Sequence, residues 1–369
     1  MNTDREASMP AEISAPVSRV ANPPSLAIGV CTFNRGPAIE ATLRAIAAMD
    51  WVGGRVTRCV VVDNNSTDAT PAVVDQVGAE LTSAGSRGVR RFERVVEPAQ
   101  GLAEARRRLF EHTNEPWVAL LDDDVIPNPV WAREVLSAID AQPRAGAVGG
   151  VVRLSYEQGE SAWASRSRVL LAAQDLGPAL RVLDRPRDNL VGAAMALRRD
   201  AVERSGWLAE RFLIDRQGAK LSSGGDQELC IRVRQAGFEI VYAPGAIADH
   251  LIPPRRTQRR YVLDLRESIA RADPWIDWLI AGRPMGEQGE SWAAPKLARA
   301  TRNERRTRLL EWRPVRRAVR LAERRGRLEG WKSLMVFLAR NRPEGAPARL
   351  PVHPVVAPPG TFAGKSADN

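Results

Sequence analysis

The sequence predicts an α/β protein with a mostly parallel sheet flanked by helices, followed by a basic α-helical extension. Three observations carry this. Apolar runs at residues 26–32, 58–63 and 117–121 are continuous rather than alternating, as expected of strands buried on both faces. They alternate with stretches of helical period, a pattern that sets strands side by side and parallel. The net charge of +10 belongs to one segment: residues 255–345 hold 23 basic and 11 acidic side chains, leaving 31 basic and 33 acidic elsewhere.

Residues 1–24, with Pro10, Pro16, Pro23 and Pro24 and no apolar period, are expected to form a disordered leader. Asp4 and Glu6, with no apolar stretch beside them, argue against a secretory signal. The first strand, Leu26–Thr32, stops at the polar cluster Thr32 to Arg35. A helix follows on the spacing of Ile39, Leu43, Ile46 and Ala47. The second strand, Arg58–Asp63, stops at Asn64 to Asp68. After another helix come a strand at Arg91–Val96 and a helix at Leu102–His112. The strand Trp117–Leu121 ends in Asp122, Asp123 and Asp124. Later strands are expected at Gly149–Leu154, Leu190–Arg199 and Phe238–Tyr242, and helices at Asp200–Ser205 and Asp226–Ala236. Asp249 and His250 then fall in a strand-end loop.

Residues 255–345 have helical composition, with Pro274, Pro284, Pro295 and Pro314 expected as breaks. The segment holds five of the ten tryptophans, and Trp331, Leu334, Met335 and Leu338 form an apolar stripe. Two readings stay open: helices packed on the rest of the chain with solvated arginines, or a surface attracted to anionic membranes. No specific nucleic-acid binding is expected, because no recognised module accompanies the charge. Residues 346–369 read as a flexible tail.

Several classes are excluded. No run of 18 apolar residues occurs, so no membrane-spanning helix is expected. Cys31, Cys59 and Cys230 are too widely spaced for a disulfide framework or zinc site, which fits a cytoplasmic protein, peripheral on the cytoplasmic face of the inner membrane if the basic helices dock there. There is no Walker motif, no Gly-x-Gly-x-x-Gly after the first strand and no nucleophile elbow, so kinase, dehydrogenase and hydrolase readings fall away.

Ligands of such sheets sit at the carboxyl ends of the strands, where three polar clusters coincide. Adjacent Asp122, Asp123 and Asp124 repel one another and invite a cation; hard oxygen ligands suit Mg²⁺ or Mn²⁺. The alternative is a solvated loop, or Asp124 capping a helix that starts near Pro129. Asp63 either contacts a nucleobase or ribose or forms an Asx-turn. Thr32, Asn34 and Arg35 are nucleotide donors or turn formers. Arg106 can pair with a diphosphate or with the aspartates, or lie on a solvated helix face. Asp226 is a general base or an acidic first-turn residue, and His250 a structural residue or a metal ligand.

In order and spacing, residues 30–35, 62–68, 101–106, 121–127, 192–199, 224–229 and 249–250 resemble a family 2 glycosyltransferase with the GT-A fold, over roughly residues 25–254. The resemblance implies a metal-dependent, inverting, hexosyltransferase-type enzyme. Its donor would be a UDP-, dTDP- or GDP-type nucleotide sugar, its acceptor a glycan or a lipid-linked sugar of bacterial cell-surface polysaccharide or glycolipid synthesis. Thr32, Asn34, Arg35, Asp63, Arg106, Asp122 and Asp123 would bind the nucleotide sugar. Asp122 and Asp124 match the Asp-x-Asp motif and with His250 would hold Mg²⁺ or Mn²⁺; Asp226 would be the catalytic base. Two residues depart from the pattern: Gly225 stands where Glu is usual, and Ala194 where Asn is common. The competing classes are a silent sugar-nucleotide-binding homologue, which Gly225 favours, and a sugar-phosphate nucleotidyltransferase, which should show an early Gly-rich phosphate loop.

Overall fold

The computed structural model describes residues 23–83, 91–218 and 221–341; most of the expected leader and the whole expected tail lie outside the described residues. Within them β1 (Leu26–Thr32), α1 (Ile39–Ala47), β2 (Val56–Asp63), α2 (Thr70–Thr82), β3 (Phe92–Val96), α3 (Leu102–His112) and β4 (Trp117–Asp122) alternate as the apolar runs require. Then come β5 (Val125–Pro127), α4 (Trp131–Ala141), β6 (Ala145–Tyr156), α5 (Ala162–Ser165), β7 (Arg181–Val182), β8 (Ala194–Arg198) and α6 (Arg199–Arg204). α7 (Gly225–Gln235) and β9 (Glu239–Ile252) precede three long helices, α8 (Arg259–Ile280), α9 (Gly286–Leu310) and α10 (Pro314–Arg340).

Among the described residues the strands form one sheet in the order β3-β2-β1-β4-β8-β6-β9-β5, with β7 also on β9. The half from β3 to β4 is parallel throughout, as is β6 with β9; β8 runs antiparallel between β4 and β6. This is the mixed α/β architecture expected, a largely parallel sheet with helices on both faces. One face packs Ile28, Val30 and Val61 against Ile39, Leu43 and Ile46 of α1 and Trp131 of α4. The other packs Val60, Val62 and Leu120 against Leu109 and Phe110 of α3 and Leu229 and Val233 of α7. Successive β2 valines thus reach opposite layers, which is why that strand is apolar without alternation.

Local expectations fail at three places. β9 does not end at Tyr242; it runs on to Ile252, so His250 lies within a strand, opposite Val125 of β5, and not in a loop. Long pairing with β6 sustains it, with a register shift absorbing the break between Gly149 and Val151. Asp124 caps no helix, because β5 intervenes and α4 begins only at Trp131. Pro274 and Pro295 do not break their helices, although Pro284 separates α8 from α9 and Pro314 starts α10. A proline removes one intrahelical bond, and packing of the turns around it overrides that loss. Pro274 is buried against α10, and Pro295 lies between the buried Ala293 and Ala300.

The apolar stripe of α10 faces inward. Trp331, Leu334 and Leu338 are buried with Ile276, Trp278 and Leu279 of α8, Ala293 and Ala300 of α9, and Ile231 of α7. The helical layer therefore packs on the sheet domain through α7. Contact between α8 and α10 depends on two glycines one turn apart. A Cβ on Gly326 would lie 2.0 Å from the Glu267 carbonyl oxygen, and one on Gly330 2.3 Å from that of Arg271.

In an open helix Gly→Ala stabilises by about 1 kcal/mol. Here Gly326→Ala and Gly330→Ala should each destabilise by about 1–3 kcal/mol in urea unfolding, because the new methyl meets backbone. A stabilised variant would show that the helices do not approach so closely.

Candidate active site

Register assembles the first part of the site. β1 pairs in parallel with both β2 and β4, setting Thr32 beside Asp63 and Cys31 beside Asp122. The three polar clusters therefore emerge together at one sheet edge. The first two are tied to each other: the Asn34 N–H donates to Ser66 Oγ (3.0 Å), and the Thr67 N–H donates to Asn34 Oδ1 (2.8 Å). The N–H groups of Arg35 and Gly36 both donate to Thr70 Oγ1. Asn34 has φ 49°, a left-handed conformation that asparagine tolerates. Asp63 is buried, and its Oδ1 accepts from the Ser66 N–H at 3.0 Å. Both residues thus do turn work, and the buried Thr32 closes the strand.

The third cluster is bound by cations. Arg35 Nε donates to Asp123 Oδ1 (2.7 Å), and its other arm reaches Asp124. Arg256 Nη1 lies 3.0 Å from Asp124 Oδ2. Antiparallel pairing of β5 with β9 brings His250 alongside, its Nε2 3.3 Å from Asp124 Oδ1. Burial alone would raise the Asp124 carboxyl, but the His250 hydrogen bond and the charges of His250, Arg256 and Arg35 hold it well below the usual range. At Asp123 the balance goes the other way: burial raises the carboxyl, and Arg35 offsets this only in part. Negative charge is thereby concentrated on Asp124.

The partners of His250 orient its ring. Nδ1 faces the Leu171 carbonyl at 3.0 Å, and Nε2 lies 3.1 Å from Arg256 Nη1. A carbonyl only accepts, so Nδ1 carries a proton. Nε2 lies between Arg256 Nη1, which only donates, and Asp124 Oδ1, which only accepts; it accepts from Arg256 in the neutral ring and donates to Asp124 in the protonated one. A backbone carbonyl behind the ring is the usual support of a metal-bound histidine. The donor types, carboxylates with an imidazole, suit Mn²⁺ or Mg²⁺. As the side chains stand, no three His, Cys, Asp or Glu groups converge on one point among the described residues. Asp124 and His250 come together, while Asp122 turns toward Arg106.

Arg106, on α3, is buried. Nη1 donates to Asp215 Oδ2 (3.0 Å), Nη2 to the Gly192 carbonyl (3.4 Å), and Nη2 lies 3.7 Å from Asp122 Oδ1. The Gly192 N–H in turn donates to Asp226 Oδ2 at 3.2 Å. Asp226 is in the first turn of α7, where the helix dipole favours a carboxylate. It lines a cleft of about 770 Å³ together with Asp215, Gly192, Gln227 and Asp122. A smaller pocket of about 270 Å³ is lined by Thr32, Asn34, Arg35, Asp123, Asp124, His250 and Arg256, and again by Asp122. Asp122 therefore stands where the two cavities meet.

The family described as Glycosyltransferase like family 2 matches residues 23–270. The chain belongs to this family. The match takes in every strand of the sheet and half of α8, and stops short of α9 and α10. The chain is 26% identical to the succinoglycan biosynthesis protein ExoM of Rhizobium meliloti over 242 residues, 65% of this chain and 71% of that protein. It is also 26% identical to the N-acetylglucosaminyl-diphospho-decaprenol L-rhamnosyltransferase of Mycobacterium tuberculosis, over 61% of this chain and 75% of that one. Among solved structures it is similar to the mannosyltransferase PcManGT of Pyrobaculum calidifontis in complex with GDP-Man and Mn²⁺. That likeness has 19% identity and a TM-score of 0.48, and covers 85% of this chain and 87% of that one.

In this family 2 chain, sequence reasoning passed over three buried or clustered charges. Asp215 lies in an irregular loop with no periodicity to mark it. Burial pushes its carboxyl up to about 6, against the pull of Arg106. Glu228 accepts from the N–H groups of Phe212 and Leu213 and from Arg232, pinning that loop to α7. Its i, i+4 spacing from Arg232 was the one visible signal. Arg256 reaches Asp124 only because β9 carries the chain back to the site.

Proposed function

We propose that the chain is an inverting, metal-dependent glycosyltransferase that moves a sugar from a nucleoside-diphosphate-sugar to an acceptor hydroxyl. The observation that carries this is the placement of Asp226 in a large cleft that joins the cation-lined pocket at Asp122. The smaller pocket takes the nucleotide, with Thr32, Asn34, Arg35, Asp122 and Asp123 around it and Asp63 bracing the turn beneath. Arg35 and Arg256 exchange their carboxylate partners for the diphosphate. Arg106 acts from behind, holding Asp122. Asp124, His250 and Asp122 would hold Mg²⁺ or Mn²⁺, which when bound offsets charge on the departing diphosphate.

In the larger cleft Asp226 accepts the proton of the acceptor hydroxyl as that oxygen attacks the anomeric carbon. The bond from that carbon to the diphosphate oxygen breaks in the same displacement, which inverts the centre. The main-chain N–H of Gly192 holds Asp226 Oδ2 (3.2 Å) and that of Gln227 holds Oδ1 (2.9 Å), which orients the carboxylate for proton transfer. Given the relatives' names, the acceptor class is a polysaccharide or lipid-linked sugar.

The same reading places the enzyme at the cytoplasmic face of the inner membrane. Its three cysteines are free, and among the described residues no helix is long and apolar enough to cross a membrane. The docking element is the turn between α9 and α10, not the α10 stripe. There Leu309 is 80% exposed, Leu310 67% and Trp312 79%. Arg313 lies over the Trp312 ring, and Arg305, Arg306, Arg308, Arg316 and Arg317 are exposed on the adjoining turns of α9 and α10. Apolar and indole groups ringed by arginines match an anionic lipid surface.

Asp226→Asn should keep donor binding and lower turnover at least ~100-fold; near-normal transfer would remove Asp226 as base. Asp124→Ala should abolish metal-dependent donor binding in calorimetry, and an unchanged titration would count against the metal site. Leu309→Ser/Leu310→Ser/Trp312→Ser should cut co-sedimentation with phosphatidylglycerol vesicles about tenfold or more while donor hydrolysis stays normal. Equal sedimentation would dismiss the tip as the anchor.

A further inference from the structure

Gly225 opens α7 immediately before Asp226. Its backbone is not left-handed, unlike that of Gly224 at φ 112°, so conformation alone would admit any residue there. Asp215 is what bars a side chain. A Cβ on Gly225 would fall 2.2 Å from Asp215 Oδ2 and 2.5 Å from its Cγ. The Asp215 carboxylate thus fills the volume that a side chain at 225 would enter. It is anchored there by the Gly225 N–H (2.8 Å to Oδ1) and by Arg106 Nη1 (3.0 Å to Oδ2). From Arg106 the contacts continue to the Gly192 carbonyl, and from the Gly192 N–H to Asp226. The circuit closes on α7, since Gly225 and Asp226 are adjacent.

We infer that Asp215 is a positioning residue: from the loop ahead of α7 it supplies the carboxylate that position 225 lacks, and through Arg106 and Gly192 it sets the orientation of Asp226. This rests on Asp226 being the base. It also accounts for the departure at Gly225, because the carboxylate is relocated, not missing.

The test is a swap, with kcat, KM, nucleotide binding and thermal midpoint measured for each full-length variant. Asp215→Ala should lower kcat about 10–100-fold while nucleotide binding is retained, as a displaced catalytic group does. Gly225→Glu alone should also be impaired, because its side chain meets Asp215. Asp215→Ala/Gly225→Glu should bring kcat back to within about threefold of the parent, since removing one side chain opens the space for the other. A purely structural Asp215 would let the double variant recover its thermal midpoint but not kcat, and that outcome overturns the inference. So does parental kcat in Asp215→Ala. Should Asp215→Ala fail to fold, Asp215→Asn keeps the volume and removes the charge, and full kcat in that variant overturns the inference equally. Loss of turnover in Asp226→Asn is read separately. If that variant is fully active, the reading of Asp226 fails, whatever the swap shows.

Discussion

The site is organised around one buried cation, Arg106. A guanidinium shut away from water must find its charge and hydrogen-bond partners inside the protein. Those partners, Asp122, Asp215 and Gly192, come from the end of β4, the loop before α7 and the loop before β8. Satisfying Arg106 therefore draws three distant segments into one wall of the large cleft. Asp226 is held by the same arrangement through the two peptide groups flanking the Gly192 Cα.

The acid cluster shows the complementary situation. Three consecutive carboxylates at a strand end are unfavourable together, and the chain answers with Arg35 from the β1 end and Arg256 from beyond β9. The result is uneven: Asp123 is pushed toward its neutral form by burial, while Asp124 is held strongly anionic. An arrangement of movable guanidiniums on a concentrated charge suits a pocket that must accept a diphosphate, because the same cations can change partners.

The helical layer separates two roles that composition had merged. Its tryptophans and leucines mostly build a core: Trp331, Leu334 and Leu338 lock α10 onto α8, and Phe212, Trp275, Trp278 and Phe337 cluster at its edge. The most exposed apolar groups of the layer, Leu309, Leu310 and Trp312, gather at the α9–α10 turn. Much of the positive charge of the segment forms local ion pairs, such as Arg327 with Asp273 and Arg308 with Glu304.

Much of this protein was legible without coordinates. Continuous apolar strands and their polar ends are local features, so the parallel sheet and the convergence of Thr32, Asp63 and Asp122 at one edge followed from the sequence. The placement of Asp124 and Asp226 near that edge followed from resemblance in spacing. What could not be read were the partners of buried charges and the inward facing of α10. Arg106 and Asp215 are separated by 109 positions, and His250 meets Asp124 only because β9 continues through ten residues that showed no strand period. Periodicity reports which side of an element is apolar. Which element covers that side, and which buried charge answers another, depends on how loops close in space. The sheet and its acidic edge are thus written in local pattern, whereas the place of Asp215 where Gly225 has no side chain arises only when the loop before α7 closes against Arg106.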